Sequence, residues 1–144
     1  MKMDMLDYVM PLIEACEPAF PDNHRKKHIV RLTKPLIGYK KVTTRSCWSG
    51  TRRTIVTLEI PVGALVVTSD MNHAWRFPAK FRTDIAKVVA FGDKQAPMGW
   101  SEHDPDFEYY VGDIVMPRRP FVHANNHCSS GIHFFLTYSG ARIY

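Results

Sequence analysis

The run Thr54-Ile55-Val56-Thr57-Leu58-Glu59-Ile60 narrows the fold more than any other part of this chain. It is rich in β-branched residues and alternates as a half-buried strand does. Pro61-Val62-Gly63 then supplies turn chemistry and Ala64-Leu65-Val66-Val67 resumes, so residues 51–67 are expected to form a hairpin. The same grammar recurs along the chain. Leu36 to Val42 follows Lys34-Pro35, and Ile85 to Phe91 ends at Gly92-Asp93. Phe107 to Val111 and Asp113 to Met116 flank Gly112 as two short strands or one bulged strand, and Ile132 to Tyr138 closes the series. Ten prolines and eight glycines, spread along the chain, favour many short elements over long helices.

One helix is expected over residues 3–17, within an N-terminal segment 1–20. Leu6, Val9 or Met10, and Ile13 fall at helical spacing, and Asp4 can cap the start. Pro11 either kinks this helix or marks a start near Met10. Glu17-Pro18 ends it. Pro18 to Lys34 reads as a basic loop or short helix, Ser69 to Phe81 as a long connection, and Gln95 to Pro105 as turns. The expected fold class is α+β: a β-rich single domain over residues 1–144, with about six short, mostly antiparallel strands, one N-terminal helix and long loops. Its core is expected over residues 36–138.

Composition removes several classes. A 144-residue chain with 45% hydrophobic and 23% charged residues is a globular chain, not a disordered one. No apolar run approaches the ~18 residues of a membrane-crossing helix. Met1-Lys2-Met3-Asp4 lacks the continuous apolar run of a signal peptide. Cys16, Cys47 and Cys128 are an odd number with no C-x-x-C spacing, so reduced thiols are expected rather than a disulfide framework. The expected setting is the cytoplasm, not a secreted one. A net charge of +5 suits an anionic partner, and equally the ordinary surface charge of a small domain.

Reactive side chains concentrate between Pro117 and Leu136. Arg118 and Arg119 stand between Pro117 and Pro120, on stiff backbone, and guanidinium forks suit phosphate bidentately. Lys40, Lys41, Arg45, Arg52 and Arg53 form a second basic set around a strand-loop-strand holding Trp48, a pattern used for phosphate contact and base stacking. His123, His127, Cys128 and His133 carry zinc-compatible ligand types, but no second ligand couple completes the signature, so no metal or other cofactor is assigned. Cys128 with His127 or His133 is a candidate thiol–imidazole pair. Along Ile132 to Phe135, alternation sends His133 and Phe135 to one face and Ile132 and Phe134 to the other.

Four segments in order carry a likeness. They are Gly38-Tyr39-Lys40-Lys41-Val42, Thr54 to Ala64, Arg82 to Val89, and Cys128-Ser129-Ser130-Gly131-Ile132-His133-Phe134-Phe135. This order resembles an uncharacterised domain family of bacteriophages and large DNA viruses, often found near pentapeptide repeats. C-x-x-G-I-H-F-F is its most specific element. The resemblance marks Cys128, Gly131, His133, Tyr39 and Lys40, and implies a small accessory, host-takeover or virion protein, in the host cytoplasm or the virion. It carries no activity and no cofactor. After the apolar strand, Thr137 to Tyr144 lacks the charged helix the resemblance leads one to expect.

Three functions follow as expectations. The first is a binding module for a phosphate-bearing ligand (a nucleotide, nucleic acid or other anion), or for a host or virion protein, through Lys40, Arg52, Arg118, Arg119, His123 and His127. The second is an enzyme acting on a nucleotide-linked substrate with His133 and Cys128 at its centre. The third is a virion assembly component anchored by Trp75, Trp100, Tyr109 and Tyr110.

Overall fold

The computed structural model describes residues 5–46, 50–68, 79–121 and 130–144. Helix α1 (Met5–Ile13) contains Pro11, and the chain then turns into strand β1 (Cys16–Pro18). The helix therefore stops short of Glu17. Residues 16–18 pair instead with β2 (Ile29–Leu32), and Pro18, which has no amide to donate, ends a strand at the sheet edge. The basic segment between them holds a single 3-10 turn, His24–Lys26, capped by Asn23, whose side chain accepts from the Arg25 amide.

The longest feature is the hairpin of β3 (Leu36–Ser46) and β4 (Gly50–Ile60), paired in continuous register from Leu36 with Ile60 to Ser46 with Gly50. After it come β5 (Leu65–Val67), β6 (Lys80–Thr83), β7 (Ala86–Phe91), β8 (Gly99–Ser101), β9 (Glu108–Tyr109), β10 (Ile114–Val115) and β11 (Ile132–Phe135). Helix α2 (Tyr138–Ile143) completes the described chain, with the Thr137 hydroxyl accepting from the Gly140 amide as its cap.

These eleven strands join one sheet, in the order β1-β2-β5-β6-β11-β3-β4-β7-β10, with β8 added to β3 and β9 to β8. Every pairing is antiparallel. The expectation of about six strands and one helix is thus corrected to eleven strands, with two short helices, among the described residues. The missed strands are three or four residues long, too short to show a period. Isolated, none would hold; here neighbours on the sheet satisfy their backbone groups.

The expected hairpin at residues 51–67 is also corrected. Pro61 to Ala64 does turn, with the Ala64 amide bonded to the Pro61 carbonyl and Gly63 at φ +87°. But both edges of β4 are already taken by β3 and β7, so β5 leaves to pair with β2 and β6. Likewise β9 and β10 pair with β8 and β7 rather than with each other. The chain end, read as lacking a charged helix, forms a helix whose one charge is Arg142. Ser139 and Gly140 hid it, because neither residue favours a helix interior.

One apolar cluster draws on α1 (Tyr8, Val9, Leu12) and on strands along the whole sheet, including Leu32, Val66, Phe81, Phe134, Leu36, Val56, Val88 and Val115. A sheet of this width buries one such cluster by curling around it. On the other face, Phe135 and Ile55 pack with Ala141 of α2 and with Tyr39. Among the described residues no helix is long and apolar enough to cross a membrane.

Candidate functional site

β3 has two partners along one edge. Near its start Tyr39 pairs with Phe135 of β11; further on Val42 and Thr43 pair with Ser101 and Trp100 of β8. Between those pairings, Lys40 and Lys41 face a fork where β11 and β8 part. Two glycines permit this close geometry. A β-carbon at residue 38 would stand 2.6 Å from Phe134 Cδ2, and one at residue 99 would stand 2.8 Å from Val42 Cγ2.

The fork opens into a cleft of about 840 Å³. Lys40 and Lys41 line it from β3, and β11 contributes His133 and Phe135. It is also lined by Lys80 and Tyr144, by Glu102, Asp104 and Asp106 of the β8–β9 connection, and by Arg118 and Arg119. Lys40, Arg118, Arg119 and His133 are thereby brought together from positions far apart in the chain.

Lys40 is the unusual member. It lies opposite Val56, on the core-facing side of β3, in phase with the buried Leu36 and Val42. Its ammonium donates to the His133 carbonyl at 3.3 Å. Removal from water and the nearby positive charge of Lys80 bring that ammonium down to about 8, against a smaller opposing pull from Glu102. Glu102 is itself held by Arg53, at 2.9 Å. Lys80 donates to the Tyr144 hydroxyl at 2.9 Å and lies 4.8 Å from the centre of its ring. Arg118 donates to the Asp106 carbonyl, which fixes the Pro117–Pro120 corner against the β8–β9 turn. Arg119 is exposed and makes no hydrogen bond or ion pair among the described residues.

Beside the cleft, Arg82 is 1% exposed on β6, opposite His133 in register. It donates to the Ser130 carbonyl at 2.7 Å and lies 5.2 Å from the centre of the Phe121 ring. Burial lowers the affinity of its guanidinium for its proton. Gly131, at φ +142°, takes a backbone that a side chain would strain and lies against Phe121 and Arg82. The glycine of the C-x-x-G-I-H-F-F element thus anchors β11 at the cleft wall.

Other expected residues fall elsewhere. Arg52 pairs with Asp93 and does not line the cleft. His123, His127 and Cys128 lie outside the described residues, as do Cys47, Trp48 and Trp75. Among the described residues no group of three or more His, Cys, Asp or Glu is placed to hold a metal. Of the expected interface aromatics, Tyr109 is 1% exposed in the core, where burial and the Asp104 charge push its phenol up. Tyr110 is exposed and bonds Glu108. Trp100 is half-buried.

Sequence reasoning missed Lys80 and Tyr144. Lys80 opens a four-residue strand and Tyr144 ends the chain, so neither showed a pattern. For Lys40 a fuller signal existed: a lysine in the same alternation phase as Leu36 and Val42.

One family model, described as a family of unknown function (DUF5758), matches residues 26–141. No curated protein and no solved structure matches the chain.

Proposed function

The chain belongs to the DUF5758 family, whose function is unknown, and we propose from its own side chains that it binds a phosphate-bearing ligand in the cleft between β8 and β11. One observation carries this reading: Lys40, Lys80, Arg118 and Arg119 converge on one concave site. The Lys40 and Lys80 ammonium groups repel each other across the site. An anion between them replaces repulsion with attraction, and Arg119 offers a bidentate fork at the rim. The acids of the β8–β9 connection limit the excess of positive charge, so the site suits a ligand with both an anionic and a polar end.

The setting we propose is a small phage-type accessory protein working in the host cytoplasm or the virion. Support comes from the sequence order ending in Cys128-Ser129-Ser130-Gly131-Ile132-His133-Phe134-Phe135. The ligand is then a nucleotide or nucleic acid, or a phosphorylated group on a host or virion protein.

Thermal-shift and calorimetric titration with inorganic pyrophosphate and with thymidine monophosphate test the reading. Binding is expected at pH 7 and is expected to weaken at least ~10-fold in Arg118→Ala/Arg119→Ala. The sign with pH follows from Lys40. An anion favours its protonated form, so affinity is greatest below about 8 and falls as pH rises through that value. A wild-type protein blind to both anions, or an arginine-free variant that binds them as well as wild type, would overturn the assignment.

A further inference from the structure

A second, smaller groove of about 380 Å³ lies across β3 from the cleft. Lys41 lines both. The second groove adds Arg53 and Arg142, over a floor that includes Ile55 and Gly92. Its one acid, Asp93, is held by Arg52. Helix α2 borders the second groove, and Tyr144, the residue after it, borders the first. Tyr138 and Arg142, one helical turn apart and so on the same helix face, line the second groove, while Tyr144 lines the first. Tyr138 is 48% exposed and Tyr144 is 59% exposed. Each ring contacts a second aromatic, Tyr138 edge-on to Tyr39 at 6.1 Å and Tyr144 tilted on Phe135 at 5.0 Å, and the Lys80 ammonium lies over the Tyr144 ring.

Each depression therefore holds cations beside a supported, exposed aromatic ring, and a shared lysine joins them. That combination serves a polymer with phosphates at regular intervals and flat bases between them. A mononucleotide fills one depression and leaves the other unused. A duplex keeps its bases stacked inside and offers none to a tyrosine.

We infer that the two grooves form one continuous track for a single-stranded nucleic acid, which crosses β3 at Lys41 and stacks bases on Tyr138 and Tyr144. This rests on the cleft's reading as a phosphate site and extends it to a ligand class. The phosphate backbone contacts Lys41 and Arg142 in the second groove and Lys80 and Arg119 in the first. Sequence preference is expected to be slight, because every base has a stacking face.

The test compares a fluorescent oligothymidylate of about ten nucleotides, within the span that such tracks cover, with thymidine monophosphate and with a duplex of equal length. The single strand is expected to bind at least ~100-fold tighter than the monophosphate, and tighter than the duplex. Arg142→Gln is expected to lower oligonucleotide affinity ~3- to 10-fold and to reduce the salt slope by about one, with monophosphate binding unchanged. Tyr138→Ala is expected to act in the same direction with no change in salt slope. Arg142 is exposed, so its variant reports binding rather than folding. Equal affinity for single strand and monophosphate, equal affinity for single strand and duplex, or indifference to Arg142→Gln would overturn the track while leaving the cleft's phosphate site standing. Failure of wild type to bind pyrophosphate, the monophosphate and the oligonucleotide alike would remove both.

Discussion

Replacing Lys40 with methionine is expected to make the protein more stable and to abolish its anion binding. The charge sits on the core-facing side of β3, and burial with the repulsion of Lys80 lowers its ammonium from 10.5 to about 8. A shift of that size means that the folded state carries the charge at a cost of about 2 kcal/mol, after allowance for the partial exposure the side chain keeps. Methionine keeps the unbranched stem beside Val42 and Val56 and drops the charge. The expected gain is about 4–8 °C in Tm at pH 7.

The pH dependence fixes the cause. Below about 8 both folded and unfolded chains hold the Lys40 proton, and the penalty is complete. Between that value and 10.5 the unfolded chain still binds a proton that the folded one has released, so wild-type stability rises with pH relative to the variant. The advantage of Lys40→Met should therefore shrink across this window and vanish above it. Thermal melts from pH 7 to pH 10 measure it directly. A variant that is less stable than wild type at pH 7 would show that Lys40 supports the fold and is not a charge retained at its expense. In the same samples, loss of pyrophosphate binding ties the stored penalty to the ligand.

The second large effect is expected in the core between β3 and β11. Phe134 is fully buried, lies 5.9 Å from the centre of Phe81 and covers Gly38. Phe134→Ala is expected to cost about 3–5 kcal/mol. Gly38→Ala attacks the same contact from the other side, because its new carbon would meet the Phe134 ring at 2.6 Å. That overpacking is expected to cost about 1–3 kcal/mol. The two positions should couple. In a Phe134→Leu background the smaller side chain can give way, so Gly38→Ala should cost at least ~1 kcal/mol less than it does in wild type. Urea unfolding of the four proteins supplies the cycle. Strictly additive penalties would mean that the glycine serves its own backbone rather than the ring above it.

Part of this architecture was legible in the residues. The long hairpin announced itself through Leu36 to Val42 and Thr54 to Ile60, because a strand buried on one face must repeat with period two. The split of Ile132 and Phe134 from Phe135 across the sheet was readable for the same reason, and the two clusters hold these residues on opposite faces. The strands at Cys16–Pro18, Ile29–Leu32, Lys80–Thr83 and Gly99–Ser101 were not legible. Three or four residues cannot establish a period, and their extended state depends on neighbours distant in sequence. Pro61-Val62-Gly63 signalled a turn correctly but could not say which strands it would join.

The site divides along the same line. Sequence alone determined its chemical vocabulary: Arg118 and Arg119 stiffened between prolines, Lys40 on a strand, His133 beside aromatic residues. Tertiary structure decided which of these meet. The divergence of β8 and β11 from one edge of β3 opened the cleft, put Lys80 beside Lys40, and paired Arg52 with Asp93 outside it. The physical reason is that side-chain type and strand period are local, while the partner on each strand edge is a global choice set by competition for backbone hydrogen bonds and a shared core.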